Sequence, residues 1–151
     1  MNYGNRLFQL RDRQGLTNVE MAKLLQISDS LYSRYEKEKQ TIPIKHLNTL
    51  CNYFEVSLDY IFGFTDKRKH KNMLRKIVLN KSSERLKIVR KENNLTQIEL
   101  AKILNVDNSM LAKYESGKYL ISTPYLYTIC KKYNVSADYL LGKTDEPKYL
   151  K

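Results

Sequence analysis

Glycine and proline are scarce in this sequence, at five and three residues, and the alternating β-branched pattern of strands is nearly missing. Both absences favour helices and leave an all-α protein as the natural class. Cysteine is limited to Cys51 and Cys130, so at most one disulfide is available. Each stands on an apolar helical stripe, beside Leu47, Leu50 and Phe54 or beside Leu126, Ile129 and Tyr133. That setting reads as two buried thiols in separate cores rather than a bridge. The two histidines, His46 and His70, have no Cys or carboxylate cluster at ligand spacing, so no metal site is expected. No apolar run approaches the roughly 18 residues of a membrane span. The opening stretch "MNYGNRLFQLRDRQG" lacks a signal-like apolar core, and the expectation is a soluble, cytoplasmic chain. Paired carboxylates, a nucleophile with its base and a glycine-rich phosphate loop are also missing. An enzyme, a cofactor and a small-molecule ligand are therefore not expected.

What the sequence does have is positive charge. Its 27 Lys and Arg outnumber 16 Asp and Glu, giving +11 and a pI near 9.6. An excess of this size points to a polyanion, either nucleic acid or an anionic membrane surface. The apolar share of 42% suffices for small buried cores.

The sequence is also a duplication. Shifted by 79 positions, Arg6–Asp66 aligns without a gap on Arg85–Asp145, with 24 identities over 61 positions. These include Ala22/Ala101, Tyr35/Tyr114, Glu36/Glu115 and the matching ends at Gly63, Thr65 and Asp66 and at Gly142, Thr144 and Asp145. The expected organisation is domain 1 over residues 1–66, a basic linker over 67–83, domain 2 over 84–145 and a tail over 146–151. The charge is uneven: residues 5–66 are neutral, 84–145 carry +3, and 67–83 carry +7 with no acid. Within the linker, Met73, Leu74, Ile77 and Val78 recur at helical spacing, which predicts a short amphipathic helix packed on one domain. A membrane-surface helix is the alternative, but four apolar residues offer it a small face, so no membrane partner is expected.

Each repeat reads as five helices. Helix 1 carries Leu7 and Leu10, or Leu86 and Val89. Helix 2 opens on a capping box, Thr17 with Glu20 or Thr96 with Glu99. Its apolar face runs through Val19, Met21, Ala22 and Leu25, or Ile98, Leu100, Ala101 and Leu104. Helix 3 begins at Ser28 or Asp107, both good cap residues, and Gly117 suits its end in repeat 2. Helices 4 and 5 begin near Pro43 and Ser57, and near Thr123-Pro124 and Ser136. The small Ala22 and Ala101 let helix 3 lie close across helix 2. The start and outer face of helix 3 then project, sized for a DNA major groove. That face carries Asp29, Ser30, Ser33 and Arg34 in repeat 1, and Asn108, Ser109, Ala112 and Lys113 in repeat 2.

The stretch "LTQIELAKILNVDNSMLAKYESGK", followed by "VSADYLLG", resembles the helix-turn-helix domains of phage lambda repressor and Cro type, also called the xenobiotic-response-element family. The resemblance covers both repeats. It implies two tandem five-helix DNA-binding domains with helix 3 as the recognition helix, and a bacterial or phage regulator that binds double-stranded DNA. Carried over by position, the phosphate-binding glutamine is Gln97, with the shorter Asn18 in repeat 1. Base contacts fall on Asp29, Ser30 and Arg34 and on Asn108, Ser109 and Lys113, with Ser28, Ser33 and Ala112 beside them. Arg34 suits guanine and Asn108 adenine. Lys39 and Lys118 suit phosphates, as do Lys67, Arg68, Lys69 and Lys71 of the linker.

The family arginine that pairs with the helix 3 glutamate matches Arg11 with Glu36 and Arg90 with Glu115. Tyr32 stands where the family has an aliphatic residue, and Glu38 where repeat 2 has Gly117. The expected function is a sequence-specific transcriptional regulator, a repressor, with two recognition helices per chain in adjacent half-sites. A homodimer is compatible with this. The alternative is a protein-binding regulator or antitoxin in which one repeat serves dimerisation or partner docking and only the other binds DNA.

Overall fold

Thr17 and Thr96 each accept the backbone N–H three residues on, and Glu20 and Glu99 reach back to the threonine N–H, so both capping boxes form. They open the second of five helices in each half of a computed structural model that describes residues 1–150. The first half holds α1 (Tyr3–Arg13), α2 (Asn18–Leu25), α3 (Asp29–Glu36), α4 (Ile44–Phe54) and α5 (Leu58–Ile61). The second holds α6 (Leu79–Glu92), α7 (Gln97–Leu104), α8 (Asn108–Ser116), α9 (Thr123–Tyr133) and α10 (Ala137–Leu140). Among the described residues there is no strand. The backbone divides into two compact units, Met1–Lys71 and Asn72–Tyr149.

In unit 1, α3 packs on α1 and α2, and α4 closes the other side of α2. Leu7, Met21, Tyr32, Ile42, Leu47, Leu50 and Ile61 have no accessible surface. In unit 2, α8 packs on α6 and α7, with Leu111, Leu126 and Ile129 wholly enclosed. Ala22 and Ala101 are each 3% exposed, at the close crossing their size permits. Cys51 and Cys130 are buried thiols, one in each core.

Three expectations change. Val19 and Ile98 are not on the buried face of helix 2; they are 48% and 58% exposed. At 100° per residue Val19 and Ile98 lie more than a quarter-turn from the middle of the arc that holds Met21, Ala22 and Leu25 or Leu100, Ala101 and Leu104, outside its edge. Asp107 begins α8 without a side-chain cap hydrogen bond, whereas Ser28 accepts the Leu31 N–H at 3.2 Å.

The third concerns the linker, which is not a helix over Met73–Val78. Its backbone donors find partners outside the segment: Leu74 N–H donates to the Lys143 carbonyl and Val78 N–H to the Leu141 carbonyl. Leu141 caps the short helix α10, so the segment satisfies carbonyls that a helix end leaves orphaned. Helix α6 then starts at Leu79, earlier than the expected domain edge at residue 84. A Cβ on Gly142 would lie 2.9 Å from the Val78 Cβ, so this close packing requires glycine. Earlier in the segment, residues 67–71 belong to unit 1. Ser57 N–H donates to the Arg68 carbonyl at 2.6 Å, and the buried His70 stands 3.3 Å from Asp59.

Both ends of the duplicated block are tied together in the same way. Arg6 donates to Asp66 at 2.8 Å, and Arg85 donates to Asp145 at 2.6 Å. Each guanidinium also lies 4.2 Å from the ring centroid of Tyr60 or Tyr139.

Candidate nucleic-acid interface

Helices α3 and α8 are each held from beneath by one ion pair. Arg11 grips Glu36 through Nε at 3.0 Å and Nη2 at 2.7 Å, while its Nη1 donates to the Leu16 carbonyl. Arg90 grips Glu115 at 2.7 and 3.0 Å and donates to the Leu95 carbonyl. Glu115 is only 4% exposed. These arginines thus join the first helix of a unit to the last turn of its third, and their charge is spent inside the protein.

Gln97 adds a further donor to this carboxylate, Nε2 to Glu115 Oε1 at 3.2 Å. Its amide nitrogen has two hydrogens, so one remains for an external acceptor. Asn18, one methylene shorter, has a buried Oδ1 without a hydrogen-bond partner among the described residues. In the same unit Tyr32 replaces the aliphatic residue seen as Leu111, and its hydroxyl is enclosed beside the Glu36 carboxylate. Burial, then the nearby Glu36 carboxylate, push the Tyr32 hydroxyl pKa far above its ordinary value. Substitutions at the foot of α2 and in α3 therefore alter the same small region of repeat 1.

On the outer side, Asp29, Ser30 and Arg34 of α3 are exposed and Ser33 is half-buried. On α8, Asn108 and Ser109 are exposed, and Ala112 and Lys113 half-buried. Lys39 and Lys118 are exposed just beyond the helices. Ser28 spends its hydroxyl on the α3 cap. In the former linker, Lys67, Lys69 and Lys71 are exposed, but the Arg68 guanidinium donates to the Phe54 carbonyl at 3.0 Å, capping the end of α4.

Two further residues, not expected from the sequence, complete this face. Arg34 Nε donates to Gln40 Oε1 at 3.3 Å. At the equivalent place in unit 2, the exposed Tyr119 ring lies 5.9 Å from Lys113 Nζ and 5.8 Å from Lys118 Nζ. The chain turns back after each helix, so that Gln40 N–H reaches the Arg34 carbonyl and Tyr119 N–H the Lys113 carbonyl. Position i+6 is thereby placed beside the long cation. The available signal was the 79-residue offset, which pairs Gln40 with Tyr119 as it pairs Arg34 with Lys113.

Two right-sized helix pairs, each with a tight left-handed turn at Gln26 or Asn105 and a polar, partly cationic outer face, define a helix-turn-helix protein. The helix-turn-helix family matches the chain twice, over residues 7–61 and 86–140. The chain belongs to this family, in its lambda repressor and Cro form.

Three curated relatives give the scale of the likeness. The uncharacterized HTH-type transcriptional regulator YobD of Bacillus subtilis is 41% identical over 64 residues, which is 42% of this chain and 57% of the relative. The HTH-type transcriptional regulator ImmR of the same species is 42% identical over 65 residues, 43% of this chain and 51% of the relative. Antitoxin PezA of Streptococcus pneumoniae is 38% identical over 58 residues, 38% of this chain and 37% of the relative. Each match is about one repeat long, and the chain spans about half or less of these relatives. No solved structure matches the chain. Among the described residues no helix is long and apolar enough to cross a membrane.

Proposed function

We propose that the chain is a sequence-specific regulator of transcription that binds double-stranded DNA through both α3 and α8. It represses by occupying an operator or promoter. The observation that carries this reading is the pairing of one frame with two different outer faces. Arg11–Glu36 and Arg90–Glu115 hold equivalent helices, while Asp29, Arg34 and Gln40 are exchanged for Asn108, Lys113 and Tyr119. Two unlike faces suit two unlike half-sites.

Within this reading Arg34 addresses guanine as a planar fork, and Asn108 addresses adenine through its amide. Ser30 and Ser109 sit beside them, with Ser33 and Ala112 against the groove wall. The second Gln97 N–H, Lys39 and Lys118 position the chain on phosphates, as do Lys67, Lys69 and Lys71. Gln40 and Tyr119 orient the long cations. With this many cations near phosphate, affinity falls steeply as salt rises. Joining two readers in one chain raises the effective concentration of the second to about the mM range.

The likeness to an antitoxin supports a second reading, in which one repeat docks a protein and only the other meets DNA. Hydroxyl-radical footprinting on a selected site separates the two. Two readers in one chain protect two major-groove segments, and protection of a single segment per chain contradicts the proposal.

A further inference from the structure

Unit 1 contains a polar cleft of about 640 Å³ that takes no residue from α2 or α3. It runs along one stripe of α1, through Arg6, Gln9 and Arg13, and is closed by Tyr60, Asp66 and Arg68. Arg6 and Arg68 lie 4.2 and 5.7 Å from the Tyr60 ring centroid, so the ring holds both guanidiniums in place. Each keeps donors to spare: Arg6 uses Nη2 on Asp66, and Arg68 uses Nη2 on the Phe54 carbonyl. The Asp66 side chain is 97% exposed, free to swing away from Arg6. Arg13 makes no ion pair among the described residues. Three arginines against one aspartate leave the cleft with a net charge of about +2.

The duplication shows which of these groups the fold needs. Repeat 2 keeps the clasp, as Arg85, Tyr139 and Asp145. It places Ile88, Glu92 and Pro147 where repeat 1 has Gln9, Arg13 and Arg68. The same scaffold therefore forms without those three groups, and the cationic lining of unit 1 is an addition to it.

We propose that this cleft is a binding site for a small polyphosphate-bearing molecule, separate from the helix that faces DNA. Seven residues separate Arg6 from Arg13, about 10 Å along the helix. A chain of two or three phosphates spans that separation, so that each cation can meet its own phosphate group. Guanidinium forks meet phosphate oxygens in pairs, and the Gln9 amide donates between them. The volume lies in the range of small-molecule sites, roughly 300–1,000 Å³.

The test is calorimetric titration of the full chain with inorganic triphosphate and with ATP, at constant ionic strength. The proposal expects saturable binding of triphosphate at one site per chain, with ATP competing for it. Replacing two lining residues by those of repeat 2, Gln9→Ile with Arg13→Glu, weakens it at least tenfold. Arg13→Gln alone weakens it several-fold, and Lys87→Glu, an equal charge change outside the cleft, has little effect. Circular dichroism melts establish that each variant is folded. Four results would overturn the proposal: no saturable binding, full binding by the folded double variant, an equal loss from Lys87→Glu, or stoichiometric displacement of triphosphate by a short DNA duplex. DNA affinity, measured separately, keeps this test independent of the regulator reading.

Discussion

Glu38 Oε2 accepts the backbone N–H of Gly4 at 3.2 Å, so the residue just after α3 caps the start of α1. Gly4 must be glycine for this crossing, because a Cβ there would fall 2.1 Å from the Glu36 carbonyl oxygen. Repeat 2 reverses the arrangement, with Ser83 on the first helix and Gly117 after the third. A Cβ on Gly117 would come within 3.3 Å of Ser83 Oγ. Each repeat thus keeps one glycine at the crossing, on opposite sides. Glu38 has φ of 56°, a left-handed conformation that costs a residue with a Cβ about 1–2 kcal/mol. The Glu38 carboxylate is turned towards the start of α1.

Gly4→Ser is expected to destabilise unit 1 by about 2–3 kcal/mol, as an overpacked crossing. Glu38→Gly should be nearly neutral, since relief of the left-handed backbone offsets the lost cap of about 1 kcal/mol. The double variant should be no more stable than Gly4→Ser, because the clash is with the Glu36 backbone. Urea denaturation of the three variants checks this; rescue by the second change would contradict it.

Left-handed positions give a wider prediction. Repeat 2 fills its five with Asn94, Asn105, Gly117, Asn134 and Gly142, whereas repeat 1 uses Gly15, Gln26, Glu38, Glu55 and Gly63. Asparagine tolerates this conformation better than longer side chains do. Gln26→Asn and Glu55→Asn should each stabilise by about 0.5 kcal/mol, with Asn105→Gln and Asn134→Glu destabilising to a similar extent. Thermal melts of the four variants would decide the sign.

Removing Arg90 leaves Glu115 buried with only the Gln97 amide as a donor. Arg90→Met is expected to cost about 3 kcal/mol, and Gln97→Ala about 1 kcal/mol. If Arg90→Met melted like the wild type while losing DNA affinity, Arg90 would be a DNA ligand rather than a support for α8.

His46 gives repeat 1 a pH dependence that repeat 2 lacks. Burial, then the Lys45 charge, hold its imidazole below the ordinary histidine value. Its ring faces Tyr35 at 5.9 Å, as Tyr125 faces Tyr114 at 6.2 Å. With the folded pKa depressed, the unfolded chain binds a proton first as pH falls. Stability is therefore full above about pH 6.5 and declines below it until the folded-state pKa is reached. His46→Tyr, the repeat 2 residue, should flatten this part of the wild-type profile, read as melting temperature against pH from 8 to 5. An unchanged slope would reject the assignment.

The duplication made much of the fold legible. Thr17, Thr96, Ser57 and Ser136 are caps whose chemistry is local, and each accepts the N–H that its position predicts. The ion pairs of Arg11 and Arg90 followed from resemblance rather than from spacing, since their partners lie 25 residues away. The linker's apolar period is helical, but its hydrogen-bond partners, Leu141 and Lys143, are distant in sequence, so its extended course is not legible from spacing. The places of Gln40 and Tyr119 are hidden for a similar reason. A loop that turns back beside its own helix leaves no periodic trace, and only comparison of the two repeats reveals the shared position.

Binding-site selection from a random duplex pool tests the central claim most directly, with the wild type, Arg34→Ala and Lys113→Ala compared side by side. The account predicts a bipartite wild-type motif, with Arg34→Ala relaxing one half and Lys113→Ala the other, each loss being worth about 1–3 kcal/mol at its base pair. The wild-type motif returned unchanged by both variants, or no motif at all, would contradict it.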